Sequence, residues 1–387
     1  MTKVLTIVGT RPEVIRLSRV IDRLDHAVEH VLVHTGQNRD YQLNGVFFDE
    51  LGLRRPDREL GIRTDSIGVM LADVLVGTEA ALLAERPDAV LILGDTNSSI
   101  AAVIARRMHI PVYHMEAGNR CFDLNVPEET NRRLVDHVSD FNLVYTEHAR
   151  RNLLAEGLHP RRVHLTGSPM REVLTHYRDR VEASTVVDRL GLTPGRYFVV
   201  SAHRAENVDD PRRLTDLIAS LDAVRRTWGL PLLVSTHPRT RARLAGRADA
   251  DLDDVTFHEP FGFFDYIRLQ RSALCTLSDS GTVSEESAIL GFPAVTLRDS
   301  IERPEALEAG SITATGLDPA GVVEAVRSAT TGAGPAACPP DYLIDDTSHR
   351  VLRIILSTVR RHHDWAGIRR PAPRRHAPEL ETAGRRR

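Results

Sequence analysis

The strongest constraint on this chain is a rhythm, played twice, in which short apolar runs alternate with longer amphipathic stretches. In the first half, runs at 4–8, 30–34, 89–93, 112–114 and 143–145 read as strands, and helical patterns such as 15–24, 67–84 and 99–107 lie between them. In the second half, strands are expected at 197–201, 232–235, 255–257, 273–277 and 294–297, with helices at 211–227, 264–271, 284–290 and 321–328. Strand–helix alternation of this kind implies parallel sheets with right-handed crossovers. A chain of 387 residues is too long for one ordinary core and suits two such units. The expected fold class is α/β, with two Rossmann-like, doubly wound parallel-sheet domains facing a central cleft.

The best boundary lies within 166–188, just before the Pro194–Gly195 turn into the next strand. The chain then divides into a first domain at 1–170, a second at 171–345, a final helical segment at 346–368 and a tail at 369–387. The tail is basic and Pro-rich, so it reads as solvated and disordered, with a polyanion-binding arm as the alternative. The formal net charge of −3 gives no overall basic field, which argues against a nucleic-acid partner. Three cysteines without CxxC spacing suggest reduced thiols rather than a disulfide framework or a zinc site. No secretory leader pattern follows Met1, and no apolar run reaches the roughly 18 residues of a membrane span. The expectation is a cytoplasmic protein without a membrane partner, acting on a soluble metabolite.

Doubly wound domains bind ligands outside the carboxyl ends of their strands, and five motifs fall at such ends. Gly9-Thr10-Arg11-Pro12-Glu13 follows the first strand, where Gly9 permits a tight turn and Arg11 beside a helix start suits an anion. An ordinary turn with a surface arginine fits equally well. It is not a GxGxxG fingerprint, so nothing in it argues for NAD. At Leu93-Gly94-Asp95-Thr96, Asp95 either caps the next helix or faces the cleft as a base. Glu116, in His114-Met115-Glu116-Ala117-Gly118-Asn119-Arg120, and Glu128, after Pro127, would crowd Asp95. Crowded carboxylates raise one another's pKa, so one can act as acid while another acts as base. The competing readings pair a buried Glu116 with Arg120 and make Glu128 and Glu129 first-turn helix acids.

In the second half, His203 stands at a strand end among Arg204, Glu206 and Asn207, where an imidazole can transfer protons near neutrality. A lone histidine would be a structural residue, and the polar flank favours function. The fifth motif runs Leu277-Ser278-Asp279-Ser280-Gly281-Thr282-Val283-Ser284-Glu285-Glu286. Ser280 and Gly281 expose backbone N–H groups at a helix start, suited to a diphosphate, and Glu286 lies further in, placed for ribose hydroxyls. Capping by Ser280 or Ser284 is the simpler alternative and is compatible with phosphate binding.

As an ordered set, GTRPE, TGQN at 35–38, LGDTNS, MEAGNRCF, VPEETNRR, SAHRAEN, STHPRT at 235–240, SDSGTVSEES and ERPEA at 302–306 resemble the non-hydrolysing UDP-N-acetylglucosamine 2-epimerase family. The resemblance runs from Met1 to about Asp346. It implies a GT-B-like fold with the final helix crossing back, a homodimer, a UDP-N-acetylhexosamine substrate and no required metal or redox cofactor. It implies that Asp95, Glu116, Glu128 and His203 form the acid/base cluster. Arg11, Arg16, Ser280, Gly281, Glu286 and Arg303 would hold the nucleotide sugar, with Tyr266 at the uracil. Gln37, Arg204, Glu206 and His237 could serve a second, activating UDP-N-acetylglucosamine site, although Asp40 stands where many bacterial members have a glutamine. Arg16 stands where a lysine is common and preserves the cation. The segments TGQNRDYQLNGVFF, MEAGNRCFDLNVPEETNRR and GSPMREVL look like a subgroup that epimerises a UDP-6-deoxy-L-talosamine derivative, whereas 298–306 looks more like the UDP-N-acetylglucosamine enzymes. A UDP-sugar glycosyltransferase, a non-catalytic nucleotide-sugar sensor and a hydrolysing epimerase are the competing classes.

Overall fold

The computed structural model describes residues 1–36, 45–236, 238–244, 255–331 and 337–368. Gln37, Asp40, His237 and the tail from 369 lie outside them. The first sheet has seven parallel strands: β1 (Lys3–Val8), β2 (Glu29–His34), β3 (Arg58–Glu59), β4 (Ala89–Leu93), β5 (Val112–Met115), β6 (Phe141–Val144) and β7 (Val163–Leu165), in the order 3-2-1-4-5-6-7. The second has six: β8 (Phe198–Ser201), β9 (Leu232–Ser235), β10 (Val255–His258), β11 (Cys275–Ser278), β12 (Ala294–Thr296) and β13 (Thr313–Ala314), in the order 10-9-8-11-12-13. Strand order reverses between β1 and β4 and between β8 and β11, so each sheet has a switch point at its centre, where ligands bind.

The apolar runs are continuous because each strand is buried on both faces. Val4 and Val8 of β1 join one cluster while Leu5 and Ile7 join another on the opposite face. Leu91 and Leu93 of β4 follow the first pair, and Val90 and Ile92 the second. In the second sheet, Phe198 and Val200 face one cluster, and Tyr197 and Val199 the other. Past residue 170, Val173, Leu174, Tyr177 and Val181 still pack in the first core, and so do Val351 and Ile355 of helix Thr347–Thr358. Phe263, Phe264 and Ile267 of helix Phe263–Ser272 enter the same cluster and weld the two halves behind the cleft.

One expectation needs correcting. Helix Ile67–Glu85 is, by length and composition, apolar enough to cross a membrane, because only Asp73 and Glu79 interrupt it before its last residue. Here it packs Val74 and Leu82 onto the first sheet and leaves Ile67, Val76 and Leu83 exposed.

Candidate active site

The carboxyl ends of β1, β4, β5, β8 and β11 converge on one cavity of about 340 Å³ between the two sheets. Its walls include Asp95, Glu116, Glu128, His203, Arg16, Ser280, Gly281, Arg303, Arg204 and Glu206, so most of the residues singled out in the sequence meet there. Arg11, Tyr266 and Glu286 do not line it. They form an adjoining group in which the Arg11 guanidinium faces Tyr266 and Glu286. Burial raises the Glu286 carboxyl, opposed by a 3.0 Å hydrogen bond from Gln270 Nε2.

Gly9 is needed for a different reason from the one its turn suggests. A Cβ there would lie 1.9 Å from Ser98 Oγ and 2.4 Å from Thr35 Oγ1, so close packing of the β1 and β4 loops demands glycine. The following helix, Arg11–Ala27, starts with a capping box in which Glu13 accepts from the backbone N–H of Thr10 at 2.9 Å and of Gly9. The Thr96 hydroxyl donates to the other oxygen of Glu13. Glu13 also lines the cavity, and burial pushes its carboxyl up to about 7 against those donors. It was missed as a site residue, although Thr10-x-x-Glu13 carries the capping signature.

Asp95 caps no helix. The short helical turn Asn97–Ile100 starts after Thr96, and the Asp95 carboxylate pairs with Arg132 of helix Pro127–Val138. Glu116 is buried but does not pair with Arg120, which instead binds Asp136 at 2.7 Å and Glu156 at 2.7 Å. The partners of Glu116 are Arg16 from the first sheet's side and Arg303 from the second, the latter at 2.7 Å. Its backbone is left-handed, with φ +66°. A non-glycine residue pays of order 1 kcal/mol for that conformation, which persists where surrounding contacts dictate it. Glu128 stands in the first turn of its helix and also faces the cavity. Burial, reinforced by Asp95, raises its carboxyl, which suits it to carry a proton. Glu129 is turned inward, taking Arg132 at 2.8 Å and Arg133 at 2.9 Å, and belongs to the helix framework.

Across the cavity, buried Asp279 at the end of β11 accepts from the backbone N–H groups of His203 and Arg204, each at 3.0 Å, and from Asn207. Its carboxylate lies 3.3 Å from His203 Nδ1. The His203 side chain is half-buried, and that partial desolvation lowers its pKa, with Asp279 opposing. Thr282 occupies the N-cap position of helix Val283–Leu290 without a side-chain capping bond, and Ser280, in the Ser280–Gly281 turn before it, accepts from the Thr282 N–H at 3.4 Å. A Cβ on Gly281 would stand 2.7 Å from Arg303 Nη1 and 3.7 Å from Arg204 Nη2, which places two guanidiniums over a helix N-terminus. That is a diphosphate-shaped arrangement of donors. Glu302 organises it by accepting from both Arg298 nitrogens at 2.6 and 2.8 Å, with Arg132 at 3.7 Å and Arg204 at 3.8 Å. Burial opposes ionisation of Glu302, yet these cations hold its carboxyl well below the usual range. Sequence alone does not single out Arg132, Asp279 or Glu302, because the partners that tie them to the cavity, Asp95, His203 and Arg204, lie on other elements. Among the described residues no cluster of histidine, cysteine and carboxylate side chains forms a metal site.

A family model described as UDP-N-acetylglucosamine 2-epimerase matches residues 22–356. The UDP-N-acetylglucosamine 2-epimerase of Methanocaldococcus jannaschii is 35% identical over 343 residues, 84% of this chain and 91% of that protein. The UDP-2,3-diacetamido-2,3-dideoxy-D-glucuronate 2-epimerase of Pseudomonas aeruginosa is 36% identical over 333 residues, 84% and 92% of the two chains. The solved structure of UDP-N-acetylglucosamine 2-epimerase from Rickettsia bellii superposes with a TM-score of 0.90 at 42% identity, covering 95% of this chain and all of that one. The Methanocaldococcus jannaschii enzyme in complex with UDP-GlcNAc and UDP gives 0.87 at 32%, over 92% of this chain and 100% of that one. With the match spanning most of its length and the fold shared, this chain belongs to the UDP-N-acetylglucosamine 2-epimerase family.

Proposed function

We propose that this chain is a non-hydrolysing 2-epimerase that interconverts UDP-GlcNAc and UDP-ManNAc by eliminating and re-adding UDP. One observation carries the reading: Asp95, Glu116 and Glu128 face the Ser280–Gly281 turn, Arg303 and His203 across a single cavity. Carbon 2 of the sugar has no neighbouring carbonyl, so its proton leaves only as the C1–oxygen bond weakens. A cleft base takes the proton, the C–H electron pair forms the C1=C2 bond, and UDP departs with the bridging oxygen. The Gly281 turn and its guanidiniums meet the negative charge that develops on the diphosphate. UDP then returns to C1 while an acid delivers a proton to the other face of C2. A relative that is a UDP-N-acetylglucosamine 2-epimerase and a structural neighbour in complex with UDP-GlcNAc and UDP support the substrate.

The second reading is C2 epimerisation of UDP-2-acetamido-2,6-dideoxy-L-talose, favoured by the segments around 35–48, 115–133 and 167–174. The proposed assembly is a homodimer, and the exposed apolar side chains of helix Ile67–Glu85 are a surface that such an assembly would cover. The proposed location is the cytoplasm, in keeping with three free cysteines.

The decisive experiment incubates the protein with each substrate in D2O and follows both by NMR. Deuterium at C2 of UDP-GlcNAc and UDP-ManNAc, with UDP and 2-acetamidoglucal after long incubation, is the expected result. Full epimerisation with the C2 hydrogen retained would overturn elimination. Free ManNAc would indicate a hydrolysing enzyme, and turnover of the 6-deoxy-L-talo sugar alone would favour the second reading.

A further inference from the structure

Beneath the cavity, and not part of its walls, lies a pair of side chains with no accessible surface: His114 on β5 and Asp136 on helix Pro127–Val138. His114 Nδ1 sits 2.9 Å from Asp136 Oδ1, and its Nε2 donates to the Gly94 carbonyl at 2.8 Å. Gly94 immediately precedes Asp95. The other Asp136 oxygen accepts from the Gly118 N–H at 3.1 Å, two residues beyond Glu116, and from Arg120 at 2.7 Å. Asp136 itself stands on the helix that presents Glu128 from its first turn. One buried carboxylate therefore touches, directly or through one imidazole, the three segments that carry the proposed acid/base carboxylates. Those segments need such an anchor. Glu116 has φ +66° and Gly118 has φ +81°, and a Cβ on Gly118 would lie 2.3 Å from the Ala149 carbonyl. The strained backbone at Glu116 persists only where its surroundings fix it. Burial opposes the charge on Asp136, but His114 and Arg120 outweigh it and keep the carboxyl below its ordinary range, so the anchor stays ionised.

We infer that His114 and Asp136 are positioning residues that set Asp95, Glu116 and Glu128 in one working geometry without touching substrate. The inference rests on the proposed epimerase reading. In Asp136→Asn, kcat should fall by roughly a hundredfold, the cost of a small misplacement of reacting groups, while affinity for UDP stays unchanged. His114→Gln retains an N–H able to reach the Gly94 carbonyl and should keep more activity than His114→Ala. Hydrogen exchange by mass spectrometry supplies a readout independent of turnover: the segment 115–121 should exchange faster in Asp136→Asn, with 283–290 unchanged. If Asp136→Asn fails to fold, His114→Gln takes its place in the same measurement. Unaltered exchange at 115–121, or equal loss of kcat and UDP affinity in the Gln and Ala variants, would overturn the inference. A wild-type protein that leaves UDP-GlcNAc unchanged would sink the epimerase reading instead, and the exchange data would still decide whether this pair holds the loops.

Discussion

The Arg303 side chain reaches from the second sheet's domain to Glu116 on the first, donating from Nη2 at 2.7 Å, while its Nε donates to Glu285 at 3.0 Å. One guanidinium thus ties a proposed acid/base carboxylate to the helix that follows the Gly281 turn. Nucleotide diphosphate arriving at that turn would compete for the same cation. Binding there would therefore be coupled to the freedom of Glu116.

Arg303→Lys should test that coupling. Lysine keeps the charge but cannot present the planar fork that serves Glu116 and Glu285 together. Losing one charge-assisted hydrogen bond to the diphosphate costs about 1.5–3 kcal/mol, so UDP affinity should fall at least about tenfold. Calorimetric titration with UDP measures this directly, and an unchanged affinity would remove Arg303 from the nucleotide site.

The acid/base assignment predicts a different signature. Asp95→Asn, Glu128→Gln and His203→Asn should each lower kcat by at least about a hundredfold, the lower end for lost proton transfer. UDP binding should largely survive, because the Gly281 turn and Arg303 are untouched. Near-normal turnover in all three variants would remove the assignment.

Much of this arrangement was legible in the chain itself, and the parts that were not share a cause. Strands such as β4 and β8 stood out because they are buried on both faces and flanked by glycine or polar ends. Strands β3 and β13, of two residues, and β7, of three, are too short to show any period, whereas the equally short β12 stood out through the run at 294–297. Asp95, Glu116, Glu128 and His203 could be found because each lies within two residues of a strand end or in the first turn of a helix. Their partners could not. The arginines on Glu116 lie 100 and 187 positions away, and local spacing instead suggested Arg120. Glu13 was not legible either, because the Thr96 hydroxyl that reaches it lies 83 positions away.

Glu13 yields a pH prediction. Its folded pKa of about 7 exceeds the ordinary 4.5 of the unfolded chain. A raised carboxyl contributes stability that is fully present below pH 4.5 and is lost as pH rises through about 7. At roughly 1.4 kcal/mol per unit, the loss approaches about 3 kcal/mol above pH 7. Glu13→Gln keeps an acceptor for the two backbone N–H groups, and its amide can donate to a reoriented Thr96 hydroxyl. Between pH 5 and pH 8, wild-type protein should lose thermal stability relative to this variant. A difference in melting temperature that stays constant across that range would show that Glu13 does not titrate there.

Gly281 supplies the last test, because its missing side chain is what lets Arg303 lie over the helix start. In Gly281→Ala the new Cβ would meet Arg303 Nη1 at 2.7 Å, and that nitrogen is the far end of a buried side chain anchored on Glu116 and Glu285. The backbone itself need not move, since this position is not among the positive-φ glycines. The variant should therefore fold normally yet bind UDP more weakly, with the guanidinium displaced from the turn. If Gly281 and Arg303 act on one diphosphate, the two substitutions should not add. Gly281→Ala in the Arg303→Lys background should cost less UDP affinity than in wild type, by about 0.5 kcal/mol or more for groups in contact. Strict additivity in that double-mutant cycle would mean that the glycine shapes the turn without serving the arginine, and would separate the two halves of the proposed nucleotide site.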